Sequence, residues 1–161
     1  MDENKYLDNA LAAWIRHHKM TYSILDQLTE EQLYAKLPRP GLNTFAKHFE
    51  EMAEVQKDYA RAFHTFTLKF TEDSVYQGLS TKDELKVRFT QADQAIKDGI
   101  AACQPEQRID IFGVAGTRAD LIQTLLHHEL FHHGQFSVFS HQLNFNLPKD
   151  WQDFWWIPAS Y

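Results

Sequence analysis

The sequence predicts an all-α fold: a four-helix bundle with a long crossover connection and an aromatic C-terminal tail. Three observations favour this fold class. Four long segments repeat apolar residues at three- and four-residue steps, which is the spacing of one buried helix face. Most of these segments start with a helix-capping residue, and no set of segments alternates as the strands of a sheet do. We expect residues 1–161 to form a single domain, because their 43% hydrophobic content fits one core.

The helices are placed by their start signals and by their apolar spacing. Thr29 and Thr81 each begin a capping box, and Asp120 follows Thr117 at the same three-residue distance. Pro38 and Gly41 lie in a chain break after the second helix. In chain order, the predicted helices run from about Glu3 to Leu28, from Thr29 to about Leu37, from Asn43 or Thr44 to about Phe66, from Thr81 to about Ala102, and from Thr117 to about Leu143.

The connections differ in length. Residues 67–80 look irregular and are long enough to cross from one end of a bundle to the other, and a second break spans residues 104–116. Residues 63–70 alternate in a way that favours a strand, but one such segment does not make a sheet.

The tail from Asn144 to Tyr161 is rich in large aromatic side chains that are costly to leave in water. We expect these aromatic side chains to pack over the bundle or against a partner chain. They are Trp151, Phe154, Trp155 and Trp156.

Composition and charge exclude several classes of function. The net charge is −6, and the Lys and Arg residues are scattered, so the clustered cations that bind nucleic acid are missing. No apolar run is long enough to span a bilayer, and no signal peptide is recognisable. The single cysteine, Cys103, cannot form an internal disulfide. We therefore expect a soluble, cytoplasmic protein that contacts neither nucleic acid nor membrane.

Histidine is the unusual residue, with nine in 161 positions. His128 and His132 are four residues apart, so a helix places both on one inward face. His48 lies on the inner face of the second long helix, and bundles take metal ligands from facing helices in this way. One inward histidine is more often a hydrogen-bonded core residue, but three buried imidazoles without a shared partner would be costly. We expect His48, His128 and His132 to bind one divalent ion, with zinc or nickel as the first candidates and iron as another.

His128-Glu129-Leu130-Phe131-His132 also matches the H-E-x-x-H pattern of zinc proteases. The match stops there. The longer protease pattern has Gly and His where this chain has Gln135 and Val138, and the other common form needs a later Glu, which this chain lacks. A protease is therefore disfavoured.

A larger set of residues resembles another family. His128-Glu129-x-x-His132-His133-Gly134-Gln135, together with Phe45-Ala46-Lys47-His48, resembles the signature of the DinB/YfiT-like superfamily. The helix order, the crossover and the aromatic tail are similar too. His133 departs from the pattern, because the family usually has Arg or Lys there. The resemblance implies a bundle, often homodimeric, with a three-histidine metal centre, and activities such as transfer of bacillithiol or mycothiol, isomerisation and hydrolysis.

Two classes of function follow. In the first, the protein is an enzyme whose metal ion binds a low-molecular-weight thiol and directs it at a small electrophile, or activates water as a hydrolase does. Gln135 lies one turn beyond His132 and is a candidate for orienting the substrate. In the second, the protein is a non-catalytic metal- or ligand-binding stress protein. A fourth ligand from His18 or Glu51 would favour this second class, because structural sites are closed by four protein ligands.

Overall fold

The computed structural model describes residues 3–71 and 76–157. These residues form six helices and one two-stranded hairpin. In chain order the elements are α1 (Glu3–Gln27), α2 (Glu30–Tyr34), α3 (Phe45–Thr65), α4 (Lys82–Ala102), β1 (Ile109–Ile111), β2 (Val114–Gly116), α5 (Arg118–Gln142) and α6 (Lys149–Trp155). The predicted all-α fold is confirmed.

Threonine side chains begin four of the helices. Thr29, Thr44, Thr81 and Thr117 each accept a hydrogen bond from a backbone N–H in the first turn of the helix that follows. All but Thr44 form complete capping boxes, as their sequence pattern predicts. The predicted helix starts are therefore correct to within one or two residues.

The short helix α2 ends earlier than predicted. It ends at Tyr34 instead of Leu37, because Ala35 already has an extended backbone with ψ 139. The Leu37 N–H donates to the carbonyl oxygen of Asn43 over 2.9 Å, so this stretch belongs to the loop that leads into α3. The proline at position 38 also disfavours helical backbone at Leu37.

The four long helices pack mainly in two pairs, α1 with α5 and α3 with α4. Helix α3 also contacts α5, whereas α1 and α4 meet only weakly. The buried apolar residues fall into two clusters, one that includes Trp14, Tyr59, Ile96 and Ile109 and one that includes Met20, Phe89, Phe136 and Trp151. Along α1, α4 and α5, polar residues separate the part of each helix in the first cluster from the part in the second. These polar residues are buried or half-buried: His17, His18, Asp93, Glu129, His132 and His133.

The hairpin between α4 and α5 was not predicted. Its strands pair antiparallel, with Ile109 opposite Gly116, and Phe112 and Gly113 turn the chain with positive φ. Residues 63–70, whose alternation favours a strand, form no strand of a sheet. That stretch contains the end of α3 and one isolated bridge from Thr67 to Asp110.

The Glu50 carboxylate holds the α4 end of the crossover between α3 and α4. Glu50 accepts backbone hydrogen bonds from Gly78 over 2.7 Å and from Leu79 and Ser80 over 3.0 Å each. Within the crossover, residues 72–75 lie outside the described residues. The buried Glu50 thus fixes the end of the connection that leads into α4.

The tail packs over the bundle, most deeply through Trp151. Trp151 on α6 is fully buried, and its indole N–H donates to the carbonyl oxygen of Met20 over 2.7 Å. Trp156, by contrast, is 91% exposed. Among the described helices, none combines the length and the apolar character that crossing a bilayer requires.

Candidate metal centre

Three side chains from α3 and α5 converge where these two helices face each other. Glu51 is on α3, and His128 and His132 are one turn apart on α5. Nε2 of His132 lies 2.8 Å from Glu51 Oε2, and Nε2 of His128 lies 3.1 Å from Glu51 Oε1. The two Nε2 atoms are 3.3 Å apart. One ligand atom from each of the three residues lies within 4.8 Å of the others, so the group can hold a single ion.

His48, the predicted third ligand, lies beside this group. Its Nδ1 lies 2.9 Å from Nδ1 of His132. The other ring nitrogen of His132, Nε2, faces Glu51. The structure thus brings His128 and His132 together as predicted and places His48 in contact with His132. Its role as a ligand stays a prediction. From the sequence, Glu51 was a candidate only for a fourth ligand, although it lies three positions after His48 and therefore near the same helix face.

The centre has a buried floor and a partly exposed wall. His48 and His132 are 0% and 1% exposed. The side chains of His128 and Glu51 are 19% and 16% exposed. A small molecule can therefore approach from the side of His128 and Glu51.

Burial and mutual contact set the charges of these groups. Burial would raise the pKa of the Glu51 carboxyl, but its hydrogen bonds with His128 and His132 outweigh this effect and lower the pKa to about 2. Burial and the neighbouring His132 lower the pKa of His48 to about 3. Burial also lowers the pKa of His132, despite the attraction of Glu51. An ionised carboxylate and neutral imidazoles are the forms that bind metal ions.

Comparison with known proteins places this chain. The model of the DinB family matches residues 1–148. The chain belongs to the DinB family. Its fold is similar to the crystal structure of a DinB-like protein from Bacillus cereus ATCC 10987, with a TM-score of 0.68 and 19% sequence identity over 88% of this chain and 95% of that one. A search of curated proteins finds no match.

The glutamate of the H-E-x-x-H pattern is turned away from the centre of this DinB-family protein. Glu129 is buried against α1, where its Oε1 lies 2.8 Å from Nδ1 of His18 and accepts a hydrogen bond from Thr21. His133 also faces α1, with its Nε2 2.8 Å from Thr21 Oγ1. Glu129 therefore cannot act as the base of a protease at this centre.

His18, weighed from the sequence as a fourth ligand, is held elsewhere. Its Nε2 lies 2.8 Å from Asp93 Oδ1, so its ring is clamped between two carboxylates. Burial would lower the pKa of His18, but Glu129 and Asp93 outweigh this effect and raise the pKa to about 10. A protonated imidazole cannot bind a metal ion.

Gln135 faces the loop before α3 in this DinB-family protein. Its Oε1 accepts a hydrogen bond from the Arg39 guanidinium, and its Nε2 is buried without a partner among the described residues. The Arg39 charge is one of the influences that lower the pKa of His48, after burial and His132. Gln135 is therefore connected to the centre through Arg39, and its predicted role in orienting a substrate stays a prediction.

Proposed function

We propose that this DinB-family protein binds one divalent transition-metal ion and transfers a low-molecular-weight thiol of the bacillithiol type to small electrophiles. The observation that carries the proposal is the convergence of Glu51, His128 and His132 at a partly exposed wall. When bound, the ion would supply Lewis-acid chemistry that lowers the pKa of a thiol or of water. The imidazole-rich donor set suits zinc or nickel, and also iron.

The contacts bring together one ligand set, and the sequence predicts a second. In the first, Glu51, His128 and His132 hold the ion. His132 then keeps its proton on Nδ1 and donates a hydrogen bond to Nδ1 of His48, 2.9 Å away, so His48 orients the ligand ring. In the second, His48 replaces Glu51 as the third ligand, as the sequence predicts. Glu51 is then a free carboxylate beside the ion that can accept a proton from the incoming thiol.

A hydrolase is the second candidate, and the position of Glu51 favours it. Its carboxylate lies next to both α5 histidines and stays ionised, because its pKa is lowered to about 2. A carboxylate in this position can take a proton from water as readily as from a thiol. A purely structural metal ion would be expected to have all four side chains as ligands, and the exposed side of His128 argues against this closed arrangement.

Metal analysis of purified variants tests the centre. We expect His128→Ala and His132→Ala to lose stoichiometric metal, because each removes a ligand. His127→Ala is the matched control, since His127 is exposed on the same helix. Full metal content in both His128→Ala and His132→Ala would contradict the ligand assignment.

Glu51→Gln and His48→Gln then distinguish the two ligand sets. The residue that binds the ion directly should be the one whose replacement abolishes stoichiometric binding. Loss of a residue that only orients a ligand should weaken affinity by about 10- to 100-fold.

Turnover is tested by incubating metal-loaded protein with bacillithiol, glutathione or coenzyme A and a chlorinated aromatic acceptor. We expect a metal-dependent thioether product with at least one thiol and none with His132→Ala. Hydrolysis of ester or amide substrates without any thioether product would support the second candidate instead.

A further inference from the structure

A groove between α1 and α4 lies apart from the metal centre, which α3 and α5 form. Its volume is about 400 Å³, within the range of about 300–1,000 Å³ that small-molecule pockets occupy. It exists because α1 and α4 make few contacts with each other. None of the four side chains at the metal centre lines it.

The walls of the groove are apolar on both helices. Leu11, Trp14 and Ile15 line it from α1, and Ile96 and Ile100 line it from α4. Ile15 is 43% exposed, and Leu11 and Ile100 are half-buried. These side chains would gain further burial from an apolar occupant.

The floor of the groove holds a satisfied ion pair. Asp93 pairs with His18 and accepts hydrogen bonds from Tyr22 and Gln56, so its charge is compensated. The Trp14 ring stacks on His18, with centroids 5.0 Å apart. The indole N–H of Trp14 is enclosed by the protein, so this residue contributes apolar surface to the groove.

The rim of the groove is positively charged. Lys19 on α1 and Lys97 on α4 line it, one from each wall, and both are exposed. Neither lysine takes part in any ion pair seen among the described residues, so both are available to an anionic group.

We propose that this groove binds a small amphipathic carboxylate, with its hydrocarbon body between α1 and α4 and its acid group near Lys19 and Lys97. Apolar walls and two cations at the rim together select this class of ligand over a neutral or cationic one. The site is separate from the proposed catalytic centre and does not depend on it.

The test is calorimetric titration of the metal-loaded full chain with decanoate below its micellar concentration. We expect one decanoate per chain, and at least tenfold weaker binding of decyltrimethylammonium, which carries the opposite charge. Absence of saturable decanoate binding, or equal affinity for the two amphiphiles, overturns the proposal.

Variants locate the binding. Ile15→Glu places a carboxylate on an exposed part of the groove wall and should weaken decanoate binding at least tenfold, whereas Val87→Glu, on the exposed face of α4 outside the groove, should not. Unchanged binding in Ile15→Glu overturns the proposal.

Charge reversal at the rim has its own control. The double variant Lys19→Glu/Lys97→Glu should lose decanoate binding, whereas Lys5→Glu, an exposed position on α1 outside the groove, should not. If His128→Ala also abolishes decanoate binding, the carboxylate binds the metal ion and the proposal is wrong. If Ile15→Glu dissociates a dimer while wild type takes up no decanoate, the groove is an interface between copies and the proposal is again wrong.

Discussion

The fold keeps the His18 imidazole in its charged form. The pKa of His18 is raised to about 10 in the folded chain, because Glu129 and Asp93 outweigh the effect of burial. In the unfolded chain, the pKa of a histidine is about 6.5. The folded state therefore holds this proton more tightly. The resulting stabilisation is complete below pH 6.5 and is lost as the pH rises through about 10.

This difference predicts a pH dependence of stability. We expect the free energy of unfolding of the wild type to fall between about pH 6.5 and 10, and His18→Gln to lack most of that fall. The substitution should also cost on the order of 3 kcal/mol at neutral pH, because it leaves two carboxylates without their cation. Urea unfolding across this pH range measures both effects. His64→Gln, on the exposed end of α3, is the control, and an equal pH slope in wild type and His18→Gln would contradict the assignment.

At the same scale, the sequence predicted part of the candidate site. The i,i+4 spacing of His128 and His132 was sufficient to place both rings on one face, because helix geometry determines it. The sequence did not identify Glu51 as a neighbour of both histidines, because carboxylates are common on helices. Only the rotation of α3 against α5 turns the Glu51 carboxylate toward His128 and His132. The relation between His48 and His132 depends on side-chain rotamers, which the sequence pattern does not contain.

At the scale of elements, two glycines in the middle of helices have opposite surroundings. A Cβ added at Gly134 on α5 would meet nothing within 4 Å, whereas one at Gly99 on α4 would lie 2.9–3.0 Å from Phe63 and from the Ala60 carbonyl oxygen on α3. Gly99 thus permits a close approach of α4 to α3. Gly134 has no such packing role among residues 3–71 and 76–157.

This contrast predicts opposite effects of alanine. Gly134→Ala should stabilise the protein by roughly 0.5–1 kcal/mol, because alanine favours helix and the site is open. Gly99→Ala should destabilise it by about 1–3 kcal/mol, because the new methyl group is overpacked against α3. Thermal unfolding of the two variants beside wild type measures both changes. A destabilised Gly134→Ala would show that something else approaches α5 at this position.

The elements themselves were largely predictable, and the exceptions have local causes. Thr81 and Thr117 begin helices where their capping patterns predict, because the cap depends on residues within one turn. The hairpin was missed because its strands have three residues each, too few for a periodic pattern, and its Phe112-Gly113 turn lacks the usual turn pairs. Helix α2 was predicted too long, since its end depends on the contact between Leu37 and Asn43.

At the scale of the whole molecule, the tail suggests where a second copy would bind. Trp151 is part of the core, so Trp155 and Trp156 are the tail tryptophans with surface left to contact a second copy. Trp156 is the more exposed of the two, at 91%. If the homodimer predicted from the sequence uses the tail, Trp156→Ala should shift the protein toward monomer. Light scattering measures this, with Val87→Ala as a control at an exposed apolar position on α4. An unchanged dimer in Trp156→Ala would exclude the tail as the interface.

Helix α5 is engaged on two sides at once. Glu129 and His133 are held by α1 on one side, while His128 and His132 face α3 on the other. Turning α5 about its axis to improve one set of contacts would break the other set. The backbone that carries the two α5 imidazoles is therefore held in place from both sides. Capture of an ion should need little rearrangement of the backbone, so its rate should be governed by how fast the hydrated ion sheds its water.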